Sequence, residues 1–365
     1  METKLIIASS ETDADMYYAT HILITDDFVY LEMNGKKIIY VSSMEYSRVM
    51  EEAQVDEIIN TQNRPPKFKS NLSWIVTENK IKKITVPGNF PIKYALELEK
   101  LGVKIKVSSG SFFKERTVKN EEEIRNIRFT QKINDGAMQN AIEVIKESSI
   151  RKDFKLEYRG KILTSEFLKE IVEISFLRGG CKSEDDIVSS GEDSAQPHNF
   201  GSGVIFAHQP IIIDLYPRNV KNRYYADMTR TVVKGKASPE IKKIYDTVLK
   251  GQKLAIQNVK AGIEISSLEK SVREYFGKAG YETESSNASP QGFIHNLGHG
   301  VGLNVHELPS VNIWNKQKLE AGSVITIEPG LYYPGIGGVR IEDMVLVTEE
   351  GCKNLTKSPK ILEIN

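Results

Sequence analysis

Ile211-Ile212-Ile213-Asp214-Leu215 and Tyr225-Ala226-Asp227-Met228-Thr229-Arg230-Thr231, whose Asp227 lies thirteen residues beyond Asp214, decide how this chain is read. Three consecutive β-branched residues predict a strand. An acid abutting them is unexpected, because a buried unpaired carboxylate is strongly disfavoured. In the second run, the period of two puts Asp227, Thr229 and Thr231 on one strand face. The two runs predict a hairpin of residues 211–215 and 224–233, turning through 218–223. A counterpart lies near the other end of the chain. Val324, Thr326 and Glu328 share one face of a strand, and fourteen residues after Glu328 the stretch Val339-Arg340-Ile341-Glu342-Asp343 puts Arg340 and Glu342 together. This predicts a second hairpin, of residues 323–328 and 338–348. Each hairpin carries two carboxylates.

Working outward, helices precede both hairpins. Asn120 followed by Glu123 has the form of a capping box and opens a long helix striped by Met138, Ala141, Ile142 and Ile145, at helical spacing. A second helix is predicted at about 165–178. In the later half Ser238 caps and Pro239 opens a helix carrying Ile241, Ile244, Tyr245 and Val248. Ser266 and Glu269 predict a capping box on the next, with Leu268, Val272, Tyr275 and Phe276 inward and Gly280 ending it. Two helices and then a hairpin occur twice, so the layout suggests a two-fold pseudo-repeat, although the halves share no evident identity. The fold class is α+β. Ahead of it, residues 1–116 predict a smaller α/β domain. There Asn34-Gly35 is a strong hairpin turn between residues 28–33 and 37–41. Ile92, Ala95, Leu98 and Leu101 line a helix that Gly102 stops. Charged residues between Phe113 and Asn120 mark the boundary, leaving 120–365 as the second domain.

In 365 residues, Lys plus Arg and Asp plus Glu balance at 49 each, so no bulk field favours nucleic acid or an anionic membrane. No run approaches the ~18 apolar residues of a membrane span, and Leu5–Ala8 is too short for a signal sequence. Two cysteines, Cys181 and Cys352, suit a reducing compartment. A cytoplasmic protein is expected.

The chemistry lies in the acids and histidines. Four carboxylates converging from strands would raise one another's pKa unless cations compensate, and two divalent ions would neutralise them. Singly, each acid could sit on a half-exposed hairpin; together, in matching hairpins, they favour the metal reading. Three of the six histidines fall in His295-Asn296-Leu297-Gly298-His299-Gly300-Val301-Gly302-Leu303-Asn304-Val305-His306-Glu307. Glycines at 298, 300 and 302 disfavour a helical metal-binding pair there, since each costs ~1 kcal/mol in a helix interior. One nitrogen and four carboxylate donors suit Mn, Co, Fe or Zn rather than a thiolate-preferring ion.

Taken with Gly298-His299-Gly300-Val301-Gly302-Leu303, His306-Glu307-Leu308-Pro309, Ile327-Glu328-Pro329-Gly330 and Gly338-Val339-Arg340-Ile341-Glu342-Asp343, these hairpins resemble the pita-bread metallopeptidases. Within that family the chain is most similar to Xaa-Pro dipeptidases (prolidases) and Xaa-Pro aminopeptidases, over roughly residues 120–350. The first domain resembles the creatinase-type N-terminal domain more loosely. The resemblance implies a pita-bread catalytic domain with pseudo-two-fold helical-hairpin repeats and two divalent ions per subunit. Asp214 would bind one ion, His299 and Glu328 the other, and Asp227 and Glu342 both. His198, His295 and His306 would line the substrate pocket, and Arg340 would support the site. The implied reaction is hydrolysis of an Xaa-Pro bond by a metal-bridged hydroxide, with Glu328 as proton shuttle. The implied partner is a small peptide with proline after the scissile bond, and the implied assembly a homodimer. The short first domain favours a dipeptidase. The alternatives are an aminopeptidase on longer peptides and a binding protein of the same fold, which retention of all five ligands disfavours. The chain departs from its relatives in Tyr216, where a glycine is usual, in a turn two residues longer through 217–222, and in lacking a proline after His198.

Overall fold

In the computed structural model, which describes residues 3–284 and 290–365, Asn34 and Gly35 adopt φ of 55° and 79°. Those are the positive values that a two-residue hairpin turn requires. They join β2 (Phe28–Met33) to β3 (Lys36–Val41). With β1 (Lys4–Ala8), β4 (Glu57–Asn60), β5 (Lys83–Val86) and β6 (Lys104–Val107) these form a six-stranded sheet in the order β4-β3-β2-β1-β5-β6. The pairs β3–β4, β1–β5 and β5–β6 are parallel, a geometry that needs crossovers. Helices α2 (Ser43–Glu52), α3 (Asn71–Glu78) and α4 (Ile92–Lys100) lie on them, after α1 (Ala14–Thr20). Alternation along β1 sends Ile6 into one layer with Met16 and Val49, and Leu5 and Ile7 into another with Leu72, Ile75 and Leu98. Both sheet faces are thereby covered. This is the unit Met1–Arg116; the rest of the chain, Thr117–Asn365, forms a second unit with its own cores.

The second unit opens on α5 (Glu121–Glu147). Asn120 accepts from the backbone of Glu122 and Glu123, and Glu123 returns a carboxylate oxygen to the Asn120 N–H. Together with α6 (Ser165–Arg178) this helix packs on a sheet of β11 (Ile187–Ser190), β12 (Ile211–Leu215), β14 (Met228–Lys234) and β22 (Glu363–Ile364), in that order. Short ribbons decorate it: β7 (Ser149–Ile150) with β8 (Leu156–Tyr158) and β9 (Lys161–Ile162), and β10 (Cys181–Lys182) with β13 (Arg218–Asn219). The arrangement then recurs. Helices α7 (Pro239–Asn258), capped by Ser238, and α8 (Ile265–Lys278) pack on a five-stranded sheet. Its order is β16 (Glu307–Val311), β15 (Gly298–Gly300), β17 (Val324–Ile327), β20 (Asp343–Val347) and β21 (Cys352–Asn354). A helix pair and a sheet therefore occur twice, as the layout predicts.

Three local expectations are corrected. Asp227 lies just before β14, which begins at Met228 rather than 224. The second hairpin is interrupted: β17 pairs with β20, but between them β18 (Gly330–Tyr333) and β19 (Gly337–Arg340) form a separate ladder. Pro329 cannot donate an N–H to continue the first ladder, and the break leaves Glu328 and Glu342 facing one another outside regular strands. The Ser266–Glu269 capping box does not form. Helix α8 begins at Ile265 with Glu264 at its cap, placing Glu269 beyond reach of the first turn. Its buried carboxylate instead accepts from Leu297 N at 3.0 Å and Arg273 Nε at 2.6 Å, which ties the helix to the segment leading into His299. Among the described residues, no helix is long and apolar enough to cross a membrane.

Candidate metal centre

Close backbone approach comes first. A Cβ on Gly298 would stand 2.1 Å from the Thr326 carbonyl oxygen, and one on Gly300 2.3 Å from that of Leu308. Only glycine permits such approach, and it lets β15 slide between β16 and β17 so that His299 is presented alongside Glu328. His299 Nε2 lies 3.2 Å from Glu328 Oε1 and 3.5 Å from Asp227 Oδ2. Donor atoms of Asp227, His299 and Glu342 all fall within 4.8 Å of one another. Asp214 stands on β12, opposite Thr229 of β14. Its Oδ2 accepts from Arg340 Nη2 at 2.6 Å, while its buried Oδ1 has no partner.

The two halves of the unit are stitched together at this point. Glu342 N–H donates to the Thr229 carbonyl at 3.1 Å, and Thr231 Oγ1 donates to the Arg340 carbonyl at 2.8 Å. Arg340 Nε donates to Thr229 Oγ1 at 3.1 Å, and that hydroxyl donates to Glu342 Oε2 at 2.8 Å. Gln252 of α7 was not singled out from the sequence. Its Nε2 donates to the carbonyls of Ile327 and Ile341, each at 3.1 Å, so one amide spans the ladder break beside both glutamates. A buried glutamine continuing the α7 stripe one turn after Val248 was its available signal. Tyr332 was missed as well. Its hydroxyl accepts from Arg340 Nη1 at 2.8 Å and lies 2.9 Å from His295 Nε2. Since His295 Nδ1 lies 2.8 Å from the Asn296 carbonyl, which can only accept, Nδ1 carries the proton and Nε2 accepts from the tyrosine.

Burial dominates the electrostatics. Asp227 and Glu342 are pushed well above the usual carboxylate range, first by burial and then by neighbouring carboxylates, Asp214 for Asp227 and Asp227 for Glu342. Burial opposes ionisation of Glu328 too, but the hydrogen bond and charge of His299 outweigh it and hold its pKa at about 2. His299 rises to about 9: burial favours its neutral form, and Glu328 and Asp227 overcome that. Burial lowers His295 to about 4. It also lowers His306, whose ring lies edge-on to that of His299 with centroids 4.3 Å apart. His198 is exposed, follows Pro197, whose carbonyl accepts from Arg340 Nη1 at 3.2 Å, and lies near enough to act electrostatically on His295 and His306. The structure thus gathers all nine residues singled out from the sequence. His21 and His208 stand apart: His21 caps α1, and His208 Nδ1 accepts from Lys236 N.

These residues fit divalent cations. The carboxylates are buried and mutually repelling, one oxygen of Asp214 is unpartnered, and three donors from three segments fall within one ion's reach. An imidazole among carboxylates is a borderline-hard donor set.

Metallopeptidase family M24 matches residues 125–349. The Xaa-Pro dipeptidase of Pyrococcus horikoshii is 34% identical over 339 residues, covering 91% of this chain and 88% of the relative. Among solved structures, the prolidase from Pyrococcus horikoshii OT3 superposes with a TM-score of 0.83 at 31% identity, over 99% of this chain and 95% of that one. The X-Pro aminopeptidase from Thermotoga maritima MSB8 gives 0.82 at 25% identity, over 100% and 98%. These neighbours share the pita-bread α+β architecture described above.

Proposed function

This chain belongs to metallopeptidase family M24, and on that premise we propose that it hydrolyses Xaa-Pro peptide bonds, with dipeptides preferred. The observation that carries the reading is the convergence of Asp227, His299 and Glu342, with Glu328 and Asp214 beside them. Two divalent ions are proposed, with Asp214 holding one, His299 and Glu328 the other, and Asp227 and Glu342 shared between them. Bound there, such ions supply Lewis acidity and lower the pKa of water toward neutrality. Mn, Co, Zn and Fe all suit the donor set.

The remaining work falls to side chains. Glu328 is proposed to take a proton from the attacking water and pass it to the proline nitrogen as the C–N bond breaks. His306, whose pKa burial lowers, and His198 would donate N–H groups to the developing oxyanion or to the substrate carboxylate. Arg340 holds Asp214 and, through Thr229, Glu342. Proline's ring is rigid and its nitrogen carries no N–H, so recognition must be by shape. We take the active species to be a homodimer.

The test is a metal-to-protein ratio with kinetics on Ala-Pro and Ala-Pro-Ala, using protein reconstituted with Mn or Co. Two ions and turnover of the dipeptide support the reading; no turnover of either peptide overturns it. Preference for the tripeptide would favour the aminopeptidase alternative, to which the similarity with the Thermotoga maritima enzyme points.

A further inference from the structure

Arg230 points away from the metal-ligating face yet has nearly no contact with water: it is 2% exposed. A guanidinium carries five N–H donors in a fixed fork, and every one of them has an acceptor. Nη1 donates to the Glu342 carbonyl at 2.6 Å and to the Thr229 carbonyl at 2.8 Å. Nη2 donates to Asp343 Oδ1 at 2.9 Å and to the Ser358 carbonyl at 2.7 Å, and Nε to the Pro359 carbonyl at 3.2 Å. One cation thus bonds the backbone of Glu342, the backbone of Thr229 at the start of β14, and a third segment that neither hairpin contains.

That third segment, residues 357–360, is itself anchored. Asp135 of α5 accepts from the backbone of Lys357 and Ser358 at 3.0 and 3.1 Å. Lys360 Nζ pairs with Asp343 Oδ2, to which Asn354 also donates. On either side, Met344 N donates to Thr356 Oγ1, and Val233 N donates to the Leu362 carbonyl. The segment lies beyond residue 349, where the family match ends.

We propose that residues 357–360 are a strap that, acting through Arg230, positions Glu342 against Asp227 and so sets how tightly metal is held by these two shared ligands. The proposal rests on the ligand assignment above. Both carboxylates sit where regular strands end. Glu342 is held by one backbone bond to Thr229 on its N–H side and by Arg230 on its carbonyl side. Without the strap, Arg230 would keep fewer acceptors and a buried, unsatisfied charge, which is strongly unfavourable. The backbone would relax to solvate it. Arg230 and Lys360 are positioning residues in this scheme, since neither reaches the metal-ligating atoms.

The experiment titrates metal-free wild type, Arg230→Lys, Lys360→Met and Glu342→Ala with Co²⁺ alone, following heat release and visible absorption, and records metal-free melting in parallel. Lysine can satisfy at most three of the five acceptors. Arg230→Lys is expected to weaken one Co²⁺ site at least tenfold and to change its absorption band. Lys360→Met removes one link from a partly exposed position, leaves the fold standing, and should weaken the same site about threefold. A purely structural role predicts lowered melting temperatures with wild-type Co²⁺ affinity, and that result in either variant overturns the strap. If Arg230→Lys does not fold, Lys360→Met decides. Glu342→Ala separates the two readings: if it keeps wild-type binding at both sites, the ligand assignment fails; if it loses a site while Arg230→Lys and Lys360→Met keep both, the strap alone fails.

Discussion

Glu342→Gln should make the metal-free protein more stable and the cation useless to it. The side chain is 2% exposed, its oxygen lies within 4.8 Å of donor atoms of Asp227, and both groups have raised pKa values from burial and from neighbouring carboxylates, Asp227 foremost for Glu342. Two unit charges at that distance repel by about 3 kcal/mol at an effective dielectric constant of about 20. The amide removes that repulsion, keeps an oxygen for the Thr229 hydroxyl, and can donate toward Asp227. In a unit of this size each kcal/mol moves Tm by about 2–4 °C, so a metal-free rise of roughly 5 °C is expected, the partial protonation of Glu342 making it smaller than full relief.

The pH dependence sharpens the test. Because both acids titrate higher folded than unfolded, the folded state binds more protons between the ordinary carboxylate range and the raised values. Stability of the metal-free wild type should therefore fall as pH rises through that window, and the Gln variant should show a shallower slope. Added cation reverses the order. Wild type at ligand 100 times its Kd gains about 2.7 kcal/mol, and the variant should gain far less. Differential scanning in EDTA and in Mn²⁺ across pH 4–9 measures all of this. A lower metal-free Tm for Glu342→Gln than for wild type, or an undiminished Mn²⁺ shift, would refute the reasoning.

Tyr332→Phe removes the hydroxyl between Arg340 and His295. It should cost about 1–3 kcal/mol of stability through the unpaired donor and lower kcat with metal content unchanged, as metal analysis beside steady-state kinetics would show. His306→Ala should lower kcat about 10²–10³-fold with both ions retained; a fall in metal content would make His306 a ligand rather than a pocket residue. Asp186 is buried, its carboxyl pushed up to about 7 by burial and further by Asp214. Its destabilising contribution is absent below the ordinary carboxylate range and complete above pH 7, so Asp186→Asn should be more stable than wild type by about 2–4 kcal/mol at pH 8 and no different at pH 3. Urea unfolding at the two pH values checks it.

Much of the centre could be read in one dimension because its parts are local. An Asn-Gly turn, the Asn120–Glu123 cap and the Ser238-Pro239 helix start depend on neighbours a few residues away, and each forms as expected. The hairpin carboxylates and the clustered histidines stand out because acids and histidines in apolar or glycine-rich strands are anomalies wherever the chain goes, whereas His198 and Arg340 were legible only through the family resemblance. Ser266 and Glu269 had the same local form and failed: the buried Leu297 N–H, twenty-eight residues away, offered Glu269 a partner that the helix start could not match. Composition and period therefore singled out the acids and histidines that the folded chain brings together. Tertiary structure alone decided the ladder break at Pro329, the amide of Gln252 across it, the hydroxyl of Tyr332 between Arg340 and His295, and the five acceptors of Arg230. The physical reason is that most of these partners are backbone carbonyls, which every residue possesses, so nothing in the letters distinguishes the one that a folded chain will bring within 3 Å.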